Sequence, residues 1–334
     1  MKFGRVSESV YKRSIWNCLN QKGGKICQDM GVGMDACIHS KTDGIYPVTS
    51  VATVTGVRRF GCRIALNRAI NYLAAAGAFG KSAWVTFLMP DWFMESDLRT
   101  AMEELRDTAE EIGVEISGVY AETLSGVESP VVTVSAYGEA GREKRVSLKQ
   151  ITAGMDIVMT KEAGTEGAVM LAFEQEEKLL KRFTPSFLDQ IQRLLFEISS
   201  VEEAKEAVSC GVRAMHVVGE GGVFGALWEI GEAAGVGMEV DWKQIPIRQE
   251  VIEVCEFFSI NPYQITSAGS LLMVTEDGYD LAEKLRRKGF AASVIGHILA
   301  GKDRVVLQEG ERRFLEPPKM DELRKGLKEE KIGG

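Results

Sequence analysis

Five short segments that set glycine beside a carboxylate or a small polar residue punctuate this chain: Gly31 to Asp35, Gly118 to Glu122, Gly164 to Gly167, Glu220 to Gly222 and Ser267 to Ser270. Each follows or ends an apolar run, so the sequence reads as strands stopped repeatedly by tight turns. Glycine supplies the backbone angles such turns need, and its bare backbone lets N–H groups approach an anion closely. A carboxylate beside such a turn suits Mg²⁺, which takes oxygen ligands and shares them with phosphates. Taken one at a time, each segment reads first as an ordinary turn, since glycine marks turns everywhere. Neither G-x-G-x-x-G nor G-x-x-x-x-G-K-[ST] stands between a strand and a helix, which speaks against a Rossmann fingerprint and a P-loop.

The pattern between the turns predicts the elements. Tyr11, Ile15, Trp16 and Leu19 are spaced as one helix face over 11–20. Strands are expected at Asp35–Ile38, Tyr46–Thr55, Trp84–Met89, Pro130–Tyr137, Asp156–Thr160, Met215–Val218 and Leu271–Thr275. Helices are expected over 59–78, 97–112 with Ser96 as N-cap and Gly113 beyond the end, 168–173, 201–210 opened by a Ser200/Glu203 capping box, from Gly222 to about Ala234, 251–258 and 278–288. At 334 residues the chain exceeds the usual size of one core. The charged, glycine-bearing segment Glu139–Lys149 is the expected boundary, giving units 1–145 and 146–334. Strands and helices alternate without one long βαβ series, so the expected class is α+β, two mixed α/β domains. The tail after Pro318 is charged and expected to be helical or frayed.

Composition narrows the function. A net charge of −8 and a pI near 5.3 argue against general binding of nucleic acid or anionic membranes. No run approaches the roughly 20 apolar residues of a membrane span, and Met1–Arg5 leads into a polar segment rather than a signal-peptide core, so the expected location is the cytoplasm. The six cysteines (Cys18, Cys27, Cys37, Cys62, Cys210, Cys255) form no C-x-x-C pair and are expected as free thiols. Three histidines far apart, His39, His216 and His297, make a multi-histidine metal site improbable.

The order of the motifs carries a resemblance. Gly33-Met34-Asp35-Ala36, Ala52-Thr53-Val54-Thr55-Gly56 and Asn71-Tyr72 through Gly77, then Gly154 to Lys161, Gly164-Thr165-Glu166-Gly167, His216 to Glu229, Asn261-Pro262 and Ser267 to Leu272 resemble the AIR synthase-related superfamily. The pattern is most like the hydrogenase maturation factor HypE and its uncharacterised relatives, and covers roughly Lys2 to Glu322. The resemblance implies an N-terminal domain that pairs across a homodimer into a β-barrel, a C-terminal α/β domain, and ATP with Mg²⁺ in the cleft between them. It implies cofactor contacts from Gly33, Asp35, Asn71, Glu122, Lys161, Gly164, Glu166, Gly167, Gly221 and Gly222, with Asp35 and Glu122 as metal ligands.

The sequence also departs from its relatives. The family's Gly-Asp-Asp-Ala turn keeps one acid, Asp35, beside Met34; Ala52, Tyr72 and Val217 stand where the family carries aspartate. None of these four side chains replaces a carboxylate as a Mg²⁺ ligand, and Tyr72 or Tyr120 is expected to fill vacated space. The HypE thiol lies at the extreme C-terminus, whereas the last cysteine here is Cys255, and Cys18 or Cys27 does not match the spacing of the selenophosphate synthetase thiol. Two functions follow as expectations: a dimeric ligand-binding or scaffold protein with a degenerate ATP–Mg²⁺ site, or an ATP-dependent enzyme that phosphorylates or activates a small molecule.

Overall fold

The computed structural model describes residues 6–19, 31–141 and 146–327; Cys27 and the tail Glu330–Gly334 lie outside them. The described strands form two sheets. The first comprises β1 (Ala36–Ile38), β2 (Tyr46–Thr55), β3 (Ala78–Met89), β4 (Glu115–Thr123) and β5 (Val131–Ala140), in the order β1-β2-β5-β3-β4. The second comprises β6 (Asp156–Thr160), β7 (Ala214–Val217), β8 (Gly237–Asp241), β9 (Leu271–Thr275), β10 (Ala292–Leu299), β11 (Arg304–Gln308) and β12 (Glu311–Phe314), in the order β12-β11-β8-β10-β6-β9-β7. Among the described strands, parallel pairing is confined to β3–β4 and β8–β11. This is a mixed α/β fold, and no described helix is long and apolar enough to cross a membrane.

Alternation along β2 sets the first layer. Val48, Ser50, Ala52 and Val54 point inward, while Thr49, Val51 and Thr53 point outward, as a two-residue period requires. Helix α1 (Gly61–Ala75) lies on the inner face and is buried along its whole length. Helix α2 (Glu95–Ile112) covers α1 through Leu105, Thr108 and Ala109. Its N-cap is Met94 rather than Ser96: the Asp97 carboxylate reaches back to accept the Met94 N–H at 3.0 Å, which places Ser96 inside the first turn. Gly113 ends the helix in the left-handed region, as expected.

Among the described residues, no helix covers the outer face of this sheet. Cross-strand rows run Val51–Ser135–Trp84–Gly118 and Thr53–Thr133–Thr86–Tyr120, with Val51, Trp84 and Tyr120 exposed. The segment Gly118–Glu122, expected as a turn, lies within β4. A Cβ at Gly118 would sit 2.3 Å from the Trp84 ring, so this glycine makes room for a neighbouring indole.

The second sheet is covered on both faces. Helices α3 (Thr165–Glu174), α4 (Val201–Ser209) and α6 (Gly278–Arg287) pack with Val158, Leu271 and Met273. Helix α5 (Gly222–Ala234) packs through Val223, Ala226, Leu227 and Ile230 against Ile157, Met159, Leu272 and Val274. Strands β8, β10, β11 and β12 were not expected from the sequence. Glycine, histidine or charged residues stand within or at the ends of their apolar runs. The Ser200/Glu203 capping box does not form. Ser200 makes no side-chain cap hydrogen bond; the Glu203 carboxylate pairs with Lys161 Nζ at 3.0 Å, and Asn71 takes the Ser200 N–H that Glu203 would have bonded.

A buried polar seam joins the two sheets. Glu166 on α3 accepts from Arg68 Nε (2.7 Å) and Nη2 (3.0 Å), from the Thr266 hydroxyl (2.6 Å) and from the Ala268 N–H (3.2 Å). One turn along α1, Asn71 donates to the Ile198 and Ala268 carbonyls, both at 2.8 Å, and accepts the Ser200 N–H at 2.9 Å. Burial works against the Arg68 charge, but the Glu166 carboxylate more than offsets it and holds the guanidinium above its ordinary pKa. A buried ion pair adds little over an apolar pair, yet breaking one costs about 3–5 kcal/mol because a naked charge remains. Glu166→Gln should therefore lower the urea-unfolding free energy by roughly that amount, and Arg68→Met with Glu166→Leu should recover most of the loss.

A second charge reports on pH. Glu104 on α2 accepts the Arg63 N–H at 2.7 Å, at the start of α1. Burial outweighs that bond and pushes its carboxyl up to about 7. A carboxyl whose pKa is raised on folding contributes stability below its unfolded pKa, and that contribution is lost as pH rises through 7. Relative to wild type, Glu104→Gln should gain roughly 2 kcal/mol between pH 5 and pH 8, read by thermal or urea unfolding.

Candidate functional site: the cleft at the Gly31–Asp35 and Glu220–Gly222 turns

Two of the five glycine turns converge on one cavity. The loop 31–35 runs into β1 with Gly33 in the left-handed region, and a Cβ there would lie 3.3 Å from the Glu229 carbonyl oxygen, so the loop backs closely onto α5. The turn Glu220–Gly222 leaves β7 and opens α5. Gly222 is also left-handed, and a Cβ there would meet the Tyr263 carbonyl at 2.5 Å. A cavity of about 380 Å³ lies between these turns. Tyr11 and Ile15 of the N-terminal helical segment wall it on one side, Trp228 and Glu229 of α5 on another, and Pro317 and Pro318 on a third.

At its base three ionisable groups meet. His216 on β7 is buried; its Nε2 lies 2.9 Å from Glu229 Oε2 and its Nδ1 lies 3.8 Å from Asp35 Oδ2. An imidazole between two carboxylates from separate elements can hold or pass a proton. Beside them, Tyr72 is 7% exposed and walls a second cavity of only about 30 Å³ with Asp35 and His216. Its hydroxyl lies 3.5 Å from the position of a Cβ on Gly219. Tyr72 thus fills the gap between α1 and the end of β7, as expected of one of the two tyrosines. Tyr120, in contrast, is half exposed on β4.

The first turn of α5 already has an anion. The Gly221 N–H donates to Asp321 Oδ2 at 2.7 Å, and the Leu323 N–H donates to Oδ1 at 2.8 Å. Burial pushes the Asp321 carboxyl up to about 6, against the pull of those two donors. A helix N-terminus with open N–H groups favours negative charge, and here the chain supplies it.

The remaining candidates lie elsewhere. Gly33 and Asp35 line the cavity together with Glu220, while Gly221 and Gly222 lie behind it, against Pro318 and the Tyr263 and Ile265 backbone. Asn71 and Glu166 belong to the buried seam, where their polar atoms are spent on Arg68, Thr266 and backbone groups. Gly164 and Gly167 press against Pro262, Val251 and Ile265, with Cβ distances of 2.9 Å or less to atoms of all three residues. Lys161 Nζ bonds the Glu197 and Ser199 carbonyls and Glu203. The Ser267–Ser270 turn closes on the Glu162 carbonyl. Glu122 lies on β4, at the sheet edge opposite β1, and accepts the Tyr120 hydroxyl at 2.7 Å. Among the described residues, no group of three or more His, Cys, Asp or Glu side chains is arranged to hold a metal ion. Cys62 and Cys255 are buried free thiols, and burial pushes Cys255 up to about 12, so neither is a thiolate near neutral pH.

Sequence reasoning did not nominate Glu229 or Asp321. Glu229 closes the His216–Glu229 motif and stands two turns into α5, so the helical period could have placed it near β7. Asp321 meets Gly221 from 100 residues away and carries no local signal.

Comparison with known proteins bears on the fold. Residues 152–308 match the family of the AIR synthase related protein, C-terminal domain. A putative hydrogenase expression/formation protein of Methanocaldococcus jannaschii is 24% identical over 250 residues, 74% of this chain and 72% of the relative. The fold is that of HypE in a HypE–HypF complex, at TM-score 0.74 and 18% identity, covering 93% of this chain and all of that one. It is also that of the ThiL protein complexed with AMPPCP and TMP, at TM-score 0.72 and 17% identity, covering 93% and 97%. Residues 152–308 thus match the AIR synthase related C-terminal domain, and the chain as a whole is similar to HypE-type proteins in sequence and in fold.

Proposed function

We propose that this protein is a cytoplasmic homodimer that binds a nucleotide or related small molecule in the cleft beside Asp35, with a degenerate ATP–Mg²⁺ site in which Met34, Ala52, Tyr72 and Val217 replace the family's aspartates. The observation that carries this reading is Tyr72. It stands where the superfamily has an acid, the space it walls with Asp35 and His216 is only about 30 Å³, room for a water, and it brings no carboxylate to the larger cavity that Asp35 also lines. Mg²⁺ leans on one or two protein carboxylates plus phosphate oxygens. Asp35 is the one expected metal ligand at the cavity, since Glu122 lies at the far edge of the same sheet. We derive no reaction step through a metal. Nucleotide binding is supported by kinship with a ThiL protein complexed with AMPPCP.

Dimerisation is supported by the bare outer face of the first sheet. Val51, Trp84 and Tyr120 are exposed there, and β4 leaves an unpaired edge. A second copy laid across this face would bury these side chains, pair the edges and close a barrel, removing the aggregation hazard of an open sheet. Glu122 then belongs to the subunit interface. A second reading, ATP-dependent activation of a small molecule, is favoured by His216 between Asp35 and Glu229, an arrangement able to manage a proton.

Two measurements test these statements. Calorimetry should find ATP bound no tighter than about millimolar, with less than a twofold change on adding Mg²⁺ or on Asp35→Ala. Tight, metal-dependent binding lost in Asp35→Ala would establish the enzyme reading instead. Sedimentation should give a dimer for wild type and a monomer for Trp84→Glu, since a charge opposite its own copy in a desolvated face repels.

A further inference from the structure

We infer that the helical segment Glu8–Leu19 is a lid over the cleft, held shut by the ion pair between Lys12 and Glu232. This rests on the reading of the cleft as a ligand site and names what controls entry to it.

The segment has an apolar face but no core to bury it in. It is helical from Glu8 to Leu19, with its middle turn, Lys12–Trp16, in the wider π form, a rare geometry that recurs at functional sites. Tyr11, Ile15 and Trp16 share one side, as their spacing requires, yet no residue of the segment is buried. That side lies over cavities instead. Tyr11 and Ile15 line the chamber of about 380 Å³, and Tyr11 and Trp16 line a second chamber of about 440 Å³ beside it. Gly31, Val32 and Met34 line both, so the two are parts of one cleft under one helix. A segment with few buried contacts opens readily, the property that lids need.

The latch reaches from the lid to the cavity wall. Lys12 Nζ lies 3.1 Å from Glu232 Oε1 on α5, and the other carboxylate oxygen takes Arg304 Nη2 at 3.0 Å. The Arg304 guanidinium stacks in turn on the Trp228 ring, 5.1 Å from its centre, and Trp228 lines the first chamber. Burial works to raise the Glu232 pKa, but Arg304 and Lys12 outweigh it and hold the carboxyl well below the usual range, so the latch is charged at neutral pH. Lys12 is more than half exposed, and an exposed ion pair contributes little. The latch therefore holds the lid in place without sealing it. A molecule enters the cleft while the helix is lifted, and its entry rate scales with the fraction of open chains.

The test uses the full-length protein with Met34→Cys as a reporter, because Met34 lines both chambers. N-ethylmaleimide modifies the new thiol, and the rate is read at that peptide by mass spectrometry in the reporter protein alone and with Lys12→Glu or Lys12→Arg added. Lys12→Glu sets like charges against Glu232 and should raise the rate at least about tenfold. Lys12→Arg keeps the pair and should leave the rate unchanged. Hydrogen exchange of residues 8–19 should quicken in Lys12→Glu while that of α5 stays the same, which shows the fold intact. Equal alkylation rates in Lys12→Glu and Lys12→Arg overturn the lid, whatever the exchange shows. ATP at millimolar concentration tests the cleft separately, since a bound nucleotide slows alkylation whether the lid is latched or not. If ATP slows it in none of the proteins while Lys12→Glu still speeds it, the nucleotide reading falls and the lid stands.

Discussion

The arginine buried between the sheets constrains everything around it. Arg68 sits on α1, the helix that fills the inner face of the first sheet, and is buried, with little water to soften its charge. Its one carboxylate, Glu166, lies on α3 beneath the second sheet, and the hydroxyl and N–H that complete the shell come from residues 266 and 268. A displacement of α1 relative to α3 by even an ångström would strand a charge in a medium that penalises it by several kcal/mol. The two sheets are thereby held in register, and so is the cleft between them. Asn71 repeats the logic one turn later with neutral groups.

This seam explains why glycine turns of one type serve two purposes. Gly164 and Gly167 lie where backbone and Ile265 approach so closely that no side chain fits, and they allow Glu166 to reach Arg68. Gly33 lies at the wall of a cavity, and Gly221 and Gly222 lie just behind it. Both sets share the residue type. They differ in what faces them: Ile265, Val251 and Pro262 in one case, the Glu229 backbone, Pro318 and the Tyr263 carbonyl in the other.

The sequence made much of the frame readable. The β-branched run Tyr46–Thr55 and the apolar run Leu271–Thr275 are strands with the bounds their composition predicts, since long apolar or alternating runs between turn residues leave little choice. Strands β8 and β10 to β12 escaped because their pairing, not their local pattern, makes them strands. Gly118 to Glu122 misled for a related reason: the glycine answers to Trp84 on the next strand, a contact invisible along the chain. At the site, Gly33, Asp35, Gly221 and Gly222 were legible as an ordered set. Asp321 was not, because an exposed-looking acid in a charged tail is indistinguishable from solvated surface until the fold carries it to Gly221.

The seam also has a temporal side. Glu166 lies 98 residues beyond Arg68 and Thr266 lies 198 beyond. At roughly 5–20 residues per second, a ribosome releases Thr266 on the order of ten seconds or more after Arg68. In that interval α1 can lie on its own sheet, but its guanidinium has nothing to neutralise it. The half-made protein must keep that flank wet, so the first sheet waits, open to water and to chaperones, until its second half arrives.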